Sequence, residues 1–364
     1  MNELLDDRHP LIIVVGSGGV GKTTLAAALG LSSARRGRDT LVMTFDPSLR
    51  LKDALGVGEE ARERPVAVAV EEAGGRLDAS LLDARLTFDR LVTRYAPDEA
   101  SRRRILDNRF YHHLSGNLAG ILEYMAVERL WEVAEEGEYR QIVLDTPPTR
   151  QALDFLEAPS RIVGFLESGA LRIALKPWFN ASGHLKGTSR LGFLGRGFER
   201  FLDDLVGLGL LRDMAEFFQA FEPLFEGFRR RAHQVEELLR SPRTLFVLVA
   251  GAGDERIPDT LFFARRLRDA GYSLGPVVVN RVHPELPVPA GYAAAASDGD
   301  PCRVDGRQRL AWLGRRDRRG LDQLAGLLGE HHPLVSLPLL PDEPTDLASL
   351  EAIGEDLLGR LDGG

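Results

Sequence analysis

The chain has 364 residues, of which 44% are hydrophobic and 27% are charged, and its formal net charge at pH 7 is −8. This composition is typical of a globular protein, and the length is sufficient for one large α/β domain or two smaller ones. The negative charge argues against nucleic acid as a partner, and no apolar run approaches the length that spans a membrane. The first ten residues, MNELLDDRHP, carry no apolar signal segment, so we expect a cytoplasmic protein.

A glycine-rich segment joins the first predicted strand to the first predicted helix. Residues 11–15, LIIVV, have the β-branched composition of a buried parallel strand, and residues 23–37 have the Ala- and Leu-rich composition of a helix that Gly37 ends. The joining segment, GSGGVGKTT, fits the phosphate-binding pattern G-x-x-x-x-G-K-[ST], for which a chance glycine turn is the alternative. The predicted loop consists of Gly16, Ser17, Gly18, Gly19, Val20, Gly21, Lys22, Thr23 and Thr24.

This loop predicts binding of ATP and Mg²⁺. Its glycines allow backbone N–H groups to converge on phosphate oxygens, and the N-terminus of the following helix adds partial positive charge. Lys22 would reach the β- and γ-phosphates, and the hydroxyl of Thr23 would ligate Mg²⁺.

Further apolar runs predict the strands of one sheet. Stretches with helical spacing separate them, so we predict an α/β fold with a doubly wound, mostly parallel sheet flanked by helices, as in P-loop NTPases. Ligands of such sheets bind at the carboxyl ends of the strands, where Asp46, Asp145 and Asn280 follow their runs. The runs comprise residues 40–45, 141–144, 244–250, 276–279 and 334–338.

Each of these three polar residues has a possible task in nucleotide chemistry. Asp145, in VLDTPPT, fits a Walker B segment and would hold Mg²⁺ directly or through a water, unless it only caps a helix. Asp46, in FDPS, would orient or deprotonate the attacking water, unless it only begins an Asp-Pro turn. Asn280 offers a donor and an acceptor that suit a purine edge, and the loop that begins with Pro338 and Leu339 would cover the base.

Two regions are predicted to be helical insertions that form an α-helical subdomain within one ATPase domain, residues 1–364. Residues 80–140 are charged and helical, and residues 160–240 contain a Gly/Ser-rich break at 180–197. Pro223 is expected to interrupt the helix after this break. The apolar face of that helix either packs on the core or forms a groove for an apolar partner. The face consists of Leu210, Met214, Phe217, Phe218, Phe221, Leu224, Phe225 and Phe228.

Five segments resemble, in order, segments of the ArsA-like ATPases. This family includes the arsenite-pump ATPase and the factor that targets tail-anchored membrane proteins. Its relatives are the MinD, ParA and nitrogenase iron-protein group. The resemblance is greatest to the bacterial, ArsA-related "anion-transporting ATPase" branch. It implies a deviant phosphate-binding loop, a first switch with the hydrolytic Asp46, a second switch after Asp145, and an adenine site with Asn280. The segments are GSGGVGKTT, FDPSLRLKDAL, LDTPPTRQALDFLEAP, VVVNRV and LPLLPDEP.

The resemblance implies an Mg²⁺-ATP-dependent dimeric switch ATPase that couples its nucleotide state to a partner or to apolar protein cargo. A metalloid pump is the less favoured alternative, because a trivalent metalloid needs several thiolates and Cys302 is the one cysteine of the chain. The C-terminal segment, SLEAIGEDLLGRLDGG, is acidic, so we expect no direct membrane anchor.

Ser17 occupies a position at which the family has a lysine that reaches the ATP of the other subunit. A serine is short and neutral, so the chain either hydrolyses ATP slowly as a homodimer or pairs with a lysine-bearing paralogue, which we favour. Alternatively, an arginine substitutes for that lysine, with Arg50 and Arg150 as candidates beside the two switches. The remaining alternative is a catalytically weak, nucleotide-binding partner subunit.

Overall fold

The structure is a computed structural model that describes residues 3–45, 50–71, 74–112, 121–167, 208–287, 306–329 and 332–363. Three features of the sequence lie outside these ranges. They are Asp46, the Gly/Ser-rich break at 180–197 and Cys302.

The described residues form one eight-stranded sheet. Its strands are β1 (Leu11–Gly16), β2 (Thr40–Thr44), β3 (Val66–Ala67), β4 (Leu77–Leu81), β5 (Gln141–Asp145), β6 (Thr244–Gly251), β7 (Leu274–Val282) and β8 (Leu334–Pro338). They lie in the order β3-β4-β2-β5-β1-β6-β7-β8, and every neighbouring pair is parallel except the short edge strand β3 against β4. The predicted α/β fold with a mostly parallel sheet is therefore confirmed.

Each apolar run that predicts a strand forms one. β1 is buried along its whole length, as expected for a central parallel strand that helices cover on both faces. Two strands were not predicted, namely β4 and its antiparallel neighbour β3. The prediction that the strand of VVVNRV ends at Asn280 is wrong, because β7 continues to Val282 after an irregularity in its pairing with β8.

The described residues include eleven α-helices. They are α1 (Lys22–Arg35), α2 (Arg50–Leu55), α3 (Ala84–Tyr95), α4 (Glu99–Leu106), α5 (Ile121–Glu136), α6 (Thr149–Glu167), α7 (Leu208–Phe221), α8 (Phe225–Arg240), α9 (Ile257–Asp269), α10 (Gly306–Leu328) and α11 (Leu347–Gly363). Helix α1 ends as predicted, with Gly37 in the left-handed region at φ 83°. Within the described ranges, no helix is long and apolar enough to cross a membrane.

The chain divides into two compact units. The first comprises residues 1–82, 133–153 and 238–364 and contains the whole sheet, and the second comprises residues 83–132 and 154–237 and is helical. The assignment of residues 80–140 and 160–240 to insertions within one ATPase domain stays a prediction.

The second unit has an aromatic core. Phe88 of α3 stacks on Phe221 of α7, with ring centroids 5.7 Å apart, and on Tyr111 at 4.9 Å. Phe217 and Phe228 are also buried against Phe88. This part of the predicted apolar face therefore packs inside its own unit. As expected from Pro223, α7 ends at Phe221, and a 3-10 turn, Glu222–Leu224, separates it from α8.

A buried ion pair joins α5 to α8 in the same unit. Arg231 donates from Nε to Oε1 of Glu128, and the hydroxyl of Tyr124 donates to Oε2 of Glu128 at 2.6 Å. The Arg231 guanidinium lies over the ring of Tyr95, 4.1 Å from its centroid, where it gains a cation–π interaction. Burial raises the pKa of Glu128 above its ordinary value, and the adjacent guanidinium offsets part of that effect.

Candidate nucleotide-binding site

Two glycines of the loop after β1 have positive φ angles and close neighbours. Gly21, at φ 93°, stands immediately before α1, and a Cβ there would collide with the side-chain Nδ2 of Asn280. Gly16 has φ 150°, and a Cβ there would collide with the carbonyl oxygen of Val249 in β6. The loop therefore needs glycine at both positions, because β6 and β7 hold it from one side.

Lys22 lies inside this loop. Its side chain is buried, and Nζ donates a hydrogen bond of 3.0 Å to the carbonyl oxygen of Ser17. The positive charge is therefore held against the loop at the end of β1. This is the place that the sequence pattern predicts for the phosphate-binding lysine.

Asp145, at the end of β5, is fully buried and accepts hydrogen bonds from two hydroxyl groups. Thr23 donates from Oγ1 to Oδ2 of Asp145 at 2.7 Å, and Thr44 donates from Oγ1 to the same oxygen at 2.9 Å. The structure thus brings together Thr23 and Asp145, the predicted Mg²⁺ ligands. Thr44 was not predicted, although its position follows from the sheet, because the register pairs Thr44 of β2 with Asp145 of β5.

The Thr44→Val variant tests this arrangement. Valine keeps the shape of threonine and removes one donor to a buried carboxylate, so we expect the free energy of unfolding to fall by about 1–2 kcal/mol. Urea titration measures the change. The control is Thr93→Val, because the exposed Thr93 hydroxyl only bonds the Asp89 carbonyl one helical turn away. An equal loss in both variants would contradict a specific role for Thr44.

A cavity of about 510 Å³ opens beside the loop. It lies between the start of α1, the end of β7 and the segment after β8. The structure therefore brings Asn280 together with Pro338 and Leu339, as the sequence analysis predicts. Its lining residues include Gly21, Thr24, Asn280, Arg281, Pro338 and Leu339.

Asn280 connects β7 to the loop. Its Nδ2 donates to the carbonyl oxygen of Val20 at 2.9 Å, and its Oδ1 accepts from the backbone N–H of Arg281 at 2.9 Å. A carboxamide has two N–H groups and two acceptor lone pairs, so one of each stays available for a ligand. Reading of adenine by Asn280 stays a prediction, and in the structure this side chain braces the loop.

Arg281 is a residue of this site that the sequence analysis missed. Among the described residues it is the one non-glycine with a positive φ, at 61°, which costs roughly 1–2 kcal/mol for an L-residue. Its guanidinium donates from Nη1 to the carbonyl oxygen of Gly19 at 3.1 Å. The only signal in the sequence is an arginine directly after Asn280, which by itself indicates no special conformation.

Two arginines, Arg50 and Arg150, were proposed as substitutes for the missing lysine. Arg50 is exposed at the start of α2, and the side chain of Arg150 lies outside the described ones. Asp46 also lies outside the described residues, because the described part of its segment ends at Phe45.

Comparison with known proteins identifies the family. The family model for the anion-transporting ATPases of the ArsA type matches residues 9–192, about half of the chain. The chain belongs to the anion-transporting ATPase family. The resemblance inferred from its five segments is therefore confirmed, and this family member is an ATPase whose substrate is a nucleotide.

Two of the curated relatives described here cover nearly the whole length of this anion-transporting ATPase, and a third covers part of it. The ATPase GET3 of Kluyveromyces lactis is 25% identical over 370 residues, which is 98% of this chain and 92% of that protein. The ATPase GET3 of Podospora anserina is 26% identical over 363 residues, 98% of this chain and 93% of that protein. An arsenical pump-driving ATPase of Halobacterium salinarum is 31% identical over 175 residues, 46% of this chain and 26% of that protein.

Proposed function

We propose that the chain is an Mg²⁺-ATP-dependent switch ATPase that acts as a dimer and couples its nucleotide state to a partner or to apolar protein cargo. The observation that supports this most directly is the contact between Thr23 and Asp145. A hydroxyl from the start of α1 and a carboxylate from the end of β5 lie 2.7 Å apart, next to the buried Lys22.

In this proposal Lys22 binds the phosphates. Its ammonium group exchanges the carbonyl oxygen of Ser17 for phosphate oxygens when nucleotide enters, so the buried charge keeps a partner in both states. The backbone N–H groups of the loop and of the first turn of α1 supply the remaining donors.

The residues present suit a magnesium ion. Thr23 and Asp145 offer hydroxyl and carboxylate oxygens, the hard ligands that Mg²⁺ prefers, and they already lie within hydrogen-bond distance of each other. Mg²⁺ would neutralise charge on the β- and γ-phosphates. Thr44 orients Asp145 through the second hydroxyl contact.

Asp46 is proposed to orient or deprotonate the attacking water. Phe45, the residue before it, donates its backbone N–H to the carbonyl oxygen of Asp145 at 3.2 Å. The chain that leads into Asp46 is therefore tied to the strand end that carries Asp145. A general base at this edge would act on a water beside the terminal phosphate.

The coupling of the nucleotide state to a partner or cargo is proposed because of the similarity to the relatives, and not because of an exposed apolar surface. Relatives named ATPase GET3 cover 98% of the chain. Phe217 and Phe221 are buried in the second unit, so an apolar cargo would reach them only after a rearrangement of that unit. The metalloid alternative is weaker, because one cysteine cannot supply the several thiolates of such a site.

The proposed dimer is either a homodimer or a heterodimer with a lysine-bearing paralogue, and both are kept because of Ser17. In a homodimer neither subunit supplies a lysine from this position, whereas a lysine-bearing paralogue would supply it. The second candidate function, a catalytically weak partner subunit, rests on the same residue. The contacts of Lys22 with Ser17 and of Thr23 with Asp145 support an active ATPase over this second candidate.

Steady-state ATP hydrolysis by the purified chain tests the proposal, with its mass in solution measured by light scattering under ATP. We expect slow turnover by the wild type and an increase of at least about tenfold in Ser17→Lys, because the added cation compensates negative charge in the transition state. Gln323→Lys, at an exposed position of α10, adds the same charge elsewhere and should change nothing. Asp46→Asn provides the background rate.

The outcomes separate the candidates. A strong increase in a Ser17→Lys homodimer means that the missing charge normally comes from a partner. An active wild type that Ser17→Lys leaves unchanged means that another cation has replaced the lysine. If neither protein binds or hydrolyses ATP, the proposed function is wrong.

A further inference from the structure

We propose that Arg281 is a nucleotide-binding residue, which places its guanidinium on the phosphates of the substrate held by the loop. The inference rests on the proposed function, since it adds a contact to the same site. It concerns ground-state binding by this chain's own residues, whereas Ser17 concerns a charge that acts during turnover.

The position of Arg281 links β7 to the phosphate-binding loop. Two consecutive side chains of β7 bond two consecutive carbonyl groups of the loop: Asn280 bonds Val20, and Arg281 bonds Gly19 at 3.1 Å. The guanidinium therefore lies at the loop itself while the residue also lines the adjacent cavity. Arg281 and Lys22 therefore place two cations on carbonyl groups of the same loop, because Arg281 bonds Gly19 and Lys22 bonds Ser17.

The backbone of Arg281 adds a second, independent observation. Its φ of 61° is one that glycine adopts without cost and arginine does not. A residue held in a strained conformation beside a ligand cavity indicates that its side chain is needed there. The hydrogen bond to Gly19 alone is a weak reason, because Arg281 is exposed and an exposed hydrogen bond competes with water.

The chemistry of the guanidinium favours phosphate as the group that Arg281 contacts. A guanidinium has five N–H donors in a planar fork that fits two phosphate oxygens at once. Among the described residues, no carboxylate forms a salt bridge with it. The same cavity is also lined by Asp342, Glu343 and Asp356, whose negative charges repel a polyphosphate. A cation at the loop side of the cavity offsets this repulsion.

Binding of adenosine, AMP, ADP and ATP to the wild type and to Arg281→Gln, measured by isothermal titration calorimetry, tests the inference. We expect equal affinities for adenosine and a loss that grows with the number of phosphates, to about tenfold for ATP, as for loss of a charged hydrogen bond. Arg281→Lys keeps the charge and should recover part of the loss. The control is Arg265→Gln, which removes an exposed charge from α9.

A further variant separates binding from stability. Arg281→Gly removes the guanidinium and also relieves the strained φ, so its melting temperature should equal or exceed that of the wild type while its affinity for ATP falls as in Arg281→Gln.

If the loss of affinity is the same for adenosine as for ATP, Arg281 contacts the base and the inference is overturned. If ATP binds the variants as tightly as the wild type, the inference is overturned and the proposed function stands. If the wild type does not bind ATP, both are wrong.

Discussion

Replacing Lys22 with methionine is expected to lower ATP turnover by at least about 100-fold while the protein stays folded. Methionine matches the length of the buried lysine stem, so packing around the loop is kept. The variant loses the charge that the loop holds against the carbonyl oxygen of Ser17 at 3.0 Å. It therefore lacks the cation that we propose to stabilise the developing charge on the β- and γ-phosphates.

The measurement is best made in the Ser17→Lys background, in which we expect the higher rate. Lys52→Met is the matched control, because Lys52 bonds the exposed Glu59 at 2.6 Å and is not among the residues proposed to contact nucleotide or Mg²⁺. Circular dichroism confirms that each variant is folded. Retention of the full rate by Lys22→Met would remove the central assumption of the proposed function, whereas loss of the rate in both variants would point to a general charge effect.

Replacing Arg231 with methionine is expected to lower the free energy of unfolding of the helical unit by about 3–5 kcal/mol. The cost is large because Glu128 and Arg231 are both almost fully buried, so removal of one partner leaves a carboxylate without its counter-charge. The hydroxyl of Tyr124 remains as a donor to Glu128, but a single neutral donor compensates a buried charge only in part.

Urea unfolding followed by the fluorescence of Trp131 measures this change, since Trp131 lies on α5 with Glu128. Trp178 and Trp312 are replaced by phenylalanine in all proteins compared, so that one reporter remains. Arg230→Met is the control, because Arg230 is the exposed neighbour on α8 and its loss should cost less than about 0.5 kcal/mol. A similar small cost for Arg231→Met would show that the ion pair contributes little.

The same variant should show a characteristic pH dependence. Burial already raises the pKa of Glu128, and without the guanidinium that pKa rises further. The folded variant then binds a proton that the unfolded chain has released, so its stability falls as the pH increases through the folded pKa. We therefore expect a larger difference from the wild type at about pH 8 than at about pH 5. A difference that is independent of pH would mean that Glu128 is not the group left uncompensated.

Most strands could be predicted because parallel strands that are covered on both faces are nearly uniform apolar runs. β4 was missed because its sequence, LDASL, includes two polar residues, Asp78 and Ser80, that are nevertheless buried. Asp78 is stabilised there by the hydroxyl of Tyr139, which donates to it at 2.7 Å. Arg76, two residues away, also pairs with Asp78 at 3.2 Å, but Tyr139 is distant in the sequence, so the local pattern shows only one of the two partners.

The residues of the candidate site were likewise predictable only where a local sequence motif marks them. Lys22, Thr23 and Asp145 follow from motifs because each needs a fixed spacing from a strand end. Thr44 depends on which strand lies beside β5, and the strained φ of Arg281 depends on how β7 meets the loop. Neither neighbour is visible in one sequence. The apolar face of α7 was ambiguous for the same reason, since one sequence does not show that Phe88 of α3 packs on Phe221.

The position of β1 has a consequence for biosynthesis. This strand is made first, yet its hydrogen-bonding neighbours come late: Leu11 pairs with Ile142 on one side and with Thr244 on the other. During translation the phosphate-binding loop therefore leaves the ribosome long before both edges of its strand can be paired. Such separation slows folding and leaves an apolar strand edge open to other nascent chains. The second edge of β1 therefore stays unpaired until the residues of β6 have been made.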